Sequence, residues 1–400
     1  MADYPLLVRS PVLNRKQEIV GYDLRLSAER ATDLKEHGLM RLLSGASEQE
    51  SFFLRLPNRF ALTDIGQVEA EKSAAESAGR VVIEVDPSSQ PGDALLPQAR
   101  KWKAAGYGIC LQRPYDTQAS PETLDLAAYF TIDGAELSAN LEKTCNRLRR
   151  HPAKQIAVNI GTPQDFEASY HAGCDFFRGY FFTTPQPAKS QPLNPSYTTI
   201  VSVMKLAQEN AAVAKIEEAL KRDAALAYKL LRYINSAGFG LSCEIQSFRH
   251  AVTVLGYKNL YRWLGLLMVT AARDTASSAL VTTAITRGRL AELVGESVFD
   301  SQERDNLFLV GTFSLLEAIL KIPLEQVVEQ IPLPAPVIDA LLRREGPYGP
   351  ILTVVEATET LERSDSRAQA TEVVELLGMT PAQLNRAQLD ALAWAEDLVR

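Results

Sequence analysis

Apolar positions follow two regimes along the chain. Up to about residue 180 they come as short runs: Leu6-Leu7-Val8, Glu18 to Leu26, Phe52 to Leu56, Val81 to Val85, Tyr107 to Leu111, Tyr129 to Ile132, Gln155 to Ile160 and Phe176-Phe177. Short apolar runs bounded by turn residues read as strands. The polar turn Asn14-Arg15-Lys16 joins the first two. Helix-spaced stretches separate most of the others: Asp64 to Ser77, Ala94 to Ala105, Pro121 to Ala127, Leu137 to Arg150 and Pro163 to Ala172. Strands alternating with helices imply a mostly parallel sheet. So many units in so short a span suit a compact, slightly irregular (β/α) barrel, with an open doubly wound sheet as the alternative.

After Thr183 to Pro195 the period becomes helical. That stretch, TTPQPAKSQPLNP, holds four prolines and predicts a stiff, extended connector. The division is therefore a barrel over 1–185, a proline-rich linker over 186–195 and an all-helical domain over 196–400. Its most patterned part is Asp223 to Gly256, a helical hairpin. Leu226, Leu230, Tyr233 and Ile234 form one stripe, and Gly238 and Gly240 bracket the turn. Ser247 stands at the N-cap of the next helix, which runs to Gly256. Further helices are predicted at Tyr197 to Glu209, Leu260 to Ala272, Thr283 to Val294, Asp305 to Leu320, Ile351 to Arg363 and Ala368 to Leu377. Thr380-Pro381-Ala382-Gln383 opens the last helix with a capping box, and Leu384, Leu389, Leu392 and Leu398 give it a packing stripe.

Composition adds exclusions. Hydrophobic content of 46%, charged content of 23% and a net charge of -7 describe an ordinary globular chain with no general nucleic-acid binding. The longest apolar run, Trp263 to Ala272, is too short for a membrane span, and the N-terminus has no signal-peptide pattern. Cys110, Cys145, Cys174 and Cys243 are far apart and suggest neither zinc nor a disulfide framework, which fits a cytoplasmic setting. No Gly-x-Gly-x-x-Gly or Walker loop follows a strand.

Barrel chemistry sits at the C-terminal strand ends. The side chains there are Asp23, Arg55, Glu84, Asp86, Gln112, Arg113 and Asp133. Such carboxylates can hold Mg²⁺, and equally they cap helices and face water. In the helical half, Arg287-Arg289 and Arg343-Arg344 read as solvated faces, and Tyr257, Tyr261 and Trp263 as core aromatics. His250 beside Ala251 reads as structural.

Two resemblances refine this picture. Asp223, Leu226, Leu230-Leu231-Arg232, then Asn235-Ser236-Ala237 with Gly240, then Ile245, Ser247, Ala251-Val252 and Leu255-Gly256 resemble the HDOD domain. The signature residues are Asp223, Leu230, Leu231, Asn235, Ser236, Gly238, Leu255 and Gly256. That family implies a helical relative of the HD phosphohydrolases without their metal ligands. Residues 1–185 are similar to an EAL domain, a barrel fold whose enzymes hydrolyse cyclic di-GMP with two metals. On that resemblance the name-giving Glu-Ala-Leu falls on Asp23-Leu24-Arg25, the Asn on Arg55 and a metal-binding Glu on Glu84. The Asp-Asp pair falls on Gln112-Arg113, Lys-Ile-Asp on Thr131-Ile132-Asp133 and the closing Gln-Gly-Tyr-Phe on Arg178-Gly179-Tyr180-Phe181. Two further glutamates fall on Val158 and Gly161, and a phosphate-binding arginine on Ser27. The vestigial site so implied is Asp23, Arg55, Glu84, Gln112, Arg113, Asp133 and Arg178.

A two-metal centre needs several carboxylates. Arginine is a donor that stays protonated. The expectation is that Arg113, with Arg55, fills the metal position and pairs with Glu84 or Asp133. The resulting reading is a non-catalytic regulatory protein, not an enzyme, with no cofactor. It would act through other signalling proteins in bacterial cyclic di-GMP, motility or stress circuits. The alternatives are a sensor that binds cyclic di-GMP without hydrolysis and a residual metal-dependent phosphodiesterase.

Overall fold

The computed structural model describes residues 6–27, 51–55, 81–87, 95–116, 119–137, 140–185, 195–221, 223–235, 245, 247–271, 276–360 and 364–399. The predicted Asp64 to Ser77 helix and nearly all of the 186–195 linker lie outside them. The chain forms two compact units. One is Met1–Thr184 with Thr358–Glu362; the other is Pro185–Ala357 with Arg363–Arg400.

The first unit is a closed barrel of eight strands in sequence order. They are β1 Leu6–Asn14, β2 Ile19–Ser27, β3 Ser51–Arg55, β4 Val81–Val85, β5 Gly108–Gln112, β6 Tyr129–Asp133, β7 Lys154–Val158 and β8 Phe176–Arg178. β1 runs antiparallel to both β2 and β8, and every other neighbouring pair is parallel. β1 runs well past the predicted Leu6-Leu7-Val8. The apolar run ends at Arg9 and Ser10, yet both are buried: pairing with β2 carries the strand through them, and β8 joins from Val12 to Asn14.

Side chains on a strand alternate faces, and this alternation positions the site. Val12, Val82, Cys110, Ile156 and Val158 share one core cluster, with Phe176 packed against it. Two residues onward on the same faces come Glu84 after Val82, Gln112 after Cys110 and Arg178 after Phe176. Gly179 follows with φ 142°, and a Cβ there would lie 2.5 Å from the Ile160 carbonyl oxygen. Only glycine permits that close approach, which fixes the end of β8 beside the chain leaving β7.

In the second unit, Ser247 caps the Phe248–Thr270 helix by accepting from the His250 N–H at 3.1 Å. Gly256 breaks that helix at φ 74° and ψ 169°. The Ser278–Val294 helix is buried on most of its surface, and the Ser301–Phe313 and Pro381–Val399 helices pack on it. Leu384, Leu389, Leu392 and Leu398 are buried. The predicted Asp305 to Leu320 helix is two, Ser301–Phe313 and Leu316–Leu320. Ser314 separates them, its Oγ donating back to the Gly311 carbonyl at 2.7 Å. Arg287 is not on a solvated face: it is 7% exposed and donates to Ser314 Oγ at 3.0 Å, with Glu356 at 3.4 Å. Arg344 meets the same Glu356. Trp263 is buried, and the Tyr257 and Tyr261 hydroxyls donate to the carbonyls of Ala211 and Pro332. Among the described residues no helix is long and apolar enough to cross a membrane.

Candidate functional site

Among the described residues, the guanidinium of Arg178 lies between two carboxylates at the centre of the barrel. Arg178 Nη1 donates to Glu84 Oε2 at 2.6 Å and lies 3.3 Å from Asp23 Oδ2. Both carboxylate side chains are fully buried and that of Arg178 is 7% exposed. Burial opposes the charge on Arg178, but Asp23 and Glu84 outweigh it and raise the guanidinium pKa above its ordinary range.

Arg113 does not take the expected place. It follows β5 directly, one residue out of phase with inward-facing Gln112, and its φ of 41° turns the chain away. Its side chain is 46% exposed, and Nη2 lies 3.8 Å from Asp86 Oδ2. Arg178 fills the centre because it shares a face with Phe176. The signal was the two-residue period of β8, which a residue-by-residue match does not show. The Arg55 side chain lies outside the described residues.

A third group lies at the end of β6. Asp133 Oδ2 accepts from Asn159 Nδ2 at 2.6 Å, and Oδ1 accepts from the Ala135 N–H at 3.1 Å. The Asp133 N–H donates to the Tyr115 hydroxyl at 3.2 Å. Asn159, missed in the sequence, has φ 58°. A non-glycine residue in that region directly after a strand is a sign of a constrained site.

The HDOD signature residues have structural work. Asp223 caps the Ala224–Ile234 helix, accepting from the Leu226 N–H at 2.9 Å and from Ser196 Oγ at 2.9 Å. Asn235 grips Ile245 at both ends: Nδ2 donates to its carbonyl at 2.8 Å, and Oδ1 accepts from its N–H at 2.7 Å. Leu230 is fully buried and Leu231 half-buried. Ser236, Gly238 and the Leu255 side chain lie outside the described residues.

The chain couples a closed barrel that resembles the EAL fold to a helical unit, and residues 192–332 match the HDOD domain family. It is 26% identical to the cyclic di-GMP phosphodiesterase CdgJ of Vibrio cholerae over 98% of this chain and 93% of that protein. It is 24% identical to YuxH of Bacillus subtilis over 98% of both chains. The solved structure of the Bacillus subtilis YkuI protein, with an EAL domain, in complex with c-di-GMP and calcium, aligns at a TM-score of 0.38 with 16% identity. That alignment spans 63% of this chain and 72% of YkuI.

The likeness to CdgJ corrects the expectation of a non-catalytic regulator that is not an enzyme. That expectation rested on Gln112-Arg113 standing where the family has paired aspartates. The exchange removes carboxylates at one strand end, but Glu84, Asp86 and Asp133 remain at others. The two metals of the EAL family are a separate question of fit. Among the described residues no group of three or more His, Cys, Asp or Glu is placed to hold a metal ion. Asp23 and Glu84 already turn oxygens to Arg178. The described residues therefore do not fit a two-metal centre.

Proposed function

We propose that this protein acts on cyclic di-GMP as a phosphodiesterase, at the C-terminal mouth of the barrel. The observation that carries the reading is the likeness to CdgJ along 98% of the chain. The geometry supports it. Asp86, Arg113 and Asp133 stand at the ends of β4, β5 and β6, and Asn159 follows β7. A cyclic dinucleotide presents phosphodiesters and guanines. Half-exposed Arg113 suits non-bridging phosphate oxygens or the guanine O6 and N7 edge. Asp133, fixed by Asn159 and Ala135, suits a guanine N–H or the proton of an attacking water. Water attacks phosphorus and gives up a proton, the P–O3′ bond breaks, and the 3′ oxygen takes up a proton as it leaves as a hydroxyl, which gives the linear dinucleotide. In this reading Asp23, Glu84 and Arg178 form the floor, and Asp86, Gln112, Arg113 and Asp133 the rim. The barrel over 1–185 carries the reaction, ahead of the 186–195 linker and the helical 196–400.

The test is incubation of the full chain with cyclic di-GMP in Mg²⁺, in Mn²⁺ and in EDTA, with products resolved by ion exchange. Linear dinucleotide is expected in at least one condition, cut about tenfold or more by Asp133→Ala. Intact nucleotide in all three conditions overturns the reading.

A further inference from the structure

We infer that Arg178 is the built-in cation of the barrel, standing between Asp23 and Glu84 in the role a divalent ion would fill, so that the site takes no metal there. The inference rests on assigning phosphodiester chemistry to this barrel, yet it is read from three buried side chains. Two carboxylates that are fully buried need a nearby positive charge. Arg178 supplies it at 2.6 Å and 3.3 Å. A hard divalent ion binds through carboxylate oxygens, and Glu84 Oε2 and Asp23 Oδ2 are already directed at the guanidinium. A second cation at those oxygens would also be repelled by Arg178 at close range.

Arg178 is held there by the fold. Phase with Phe176 points it inward, and Gly179 locks the strand end against Ile160. Unlike a metal ion, the guanidinium neither dissociates nor exchanges, and it has no open coordination position to ionise a water. Arg178 is accordingly a positioning residue that fixes Asp23 and Glu84.

The test is Mn²⁺ titration of the full chain without nucleotide, read by electron paramagnetic resonance and by melting temperature. Wild type, Asp23→Asn, Arg178→Lys and Arg178→Met are compared. Wild type, Asp23→Asn and Arg178→Lys are expected to show the same background response. Arg178→Met removes this guanidinium from the carboxylate pair and is expected to gain bound Mn²⁺, with a rise of roughly 4 °C at tenfold excess over Kd. A wild-type Mn²⁺ site that Asp23→Asn abolishes overturns the inference, as does a folded Arg178→Met with no gain. If Arg178→Met does not fold, wild type against Asp23→Asn decides. No nucleotide is present, so failure here is separate from failure of the proposed reaction.

Discussion

Arg262 and Glu292 form a two-pronged ion pair in the helical unit. Nη1 donates to Oε1 at 2.8 Å and Nη2 to Oε2 at 2.7 Å. Nη1 also reaches Asp305 at 2.8 Å, and the guanidinium lies 4.2 Å from the Phe308 ring centroid. The pair is 12% and 13% exposed, so removing one partner leaves charge stranded away from water. Arg262→Ala should cost about 3 kcal/mol or more, read by urea unfolding of the full chain. A loss under about 0.5 kcal/mol, as for a surface pair, would refute this account.

The same cluster sets a pH response. Burial pushes Glu292 up, but Arg262 and Arg289 outweigh it and hold its carboxyl below the ordinary value. Its contribution is therefore present above the unfolded carboxylate pKa and lost as pH falls through the lower folded one. Burial dominates at Asp305, whose carboxyl is raised despite Arg262. That term has the opposite sign: it opposes folding increasingly as pH rises past the unfolded value. Glu292→Gln should flatten the acid limb of melting temperature against pH. An unchanged limb would show that carboxylates elsewhere control it.

Asn235 does for Ile245 what a neighbouring strand would do. Asn235→Ala removes both hydrogen bonds and should cost about 1–2 kcal/mol. Amide exchange at Ile245 should accelerate well before the rest of the unit. Exchange at the wild-type rate would mean that packing of the Ile245 side chain alone holds the segment.

Gly256 has no atom within 4 Å of where a Cβ would stand, so Gly256→Ala meets no clash. Its backbone lies where side-chain-bearing residues are strained. The substitution should cost about 1–3 kcal/mol. A neutral result in chemical unfolding would show that the helix can straighten through this point.

Much of the barrel was legible because its strands are continuous apolar runs. The predicted Val81 to Val85 strand is β4 residue for residue, and the predicted Tyr129 to Ile132 falls one residue short of β6. The capping box at Thr380 was readable too: Gln383 and Thr380 satisfy each other's N–H groups at 2.7 Å and 3.3 Å. The resemblance named Asp23, Glu84 and Arg178 among the site residues, but not that Arg178, rather than Arg113, faces the two carboxylates. Glu84 and Arg178 are 94 residues apart, and nothing local in either stretch announces the pair. Only the phase of β8 relative to the interior decides whether Arg178 or its neighbour faces Glu84. Cys145 and Cys174 make the same point: remote in sequence, their sulfurs lie 3.8 Å apart as free, buried thiols.

The Pro381–Val399 helix places Leu384, Leu389, Leu392 and Leu398 in the interior, against the Ser278–Val294 helix. The HDOD match ends at residue 332. Recognisable ancestry and physical completeness therefore stop at different points on this chain. A gene fragment or natural recombinant carrying only 192–332 would inherit the hallmark residues and the Ser278–Val294 helix without the helix that covers the latter. Inheritance that keeps the Ser278–Val294 helix covered has to move the unmatched tail along with the signature.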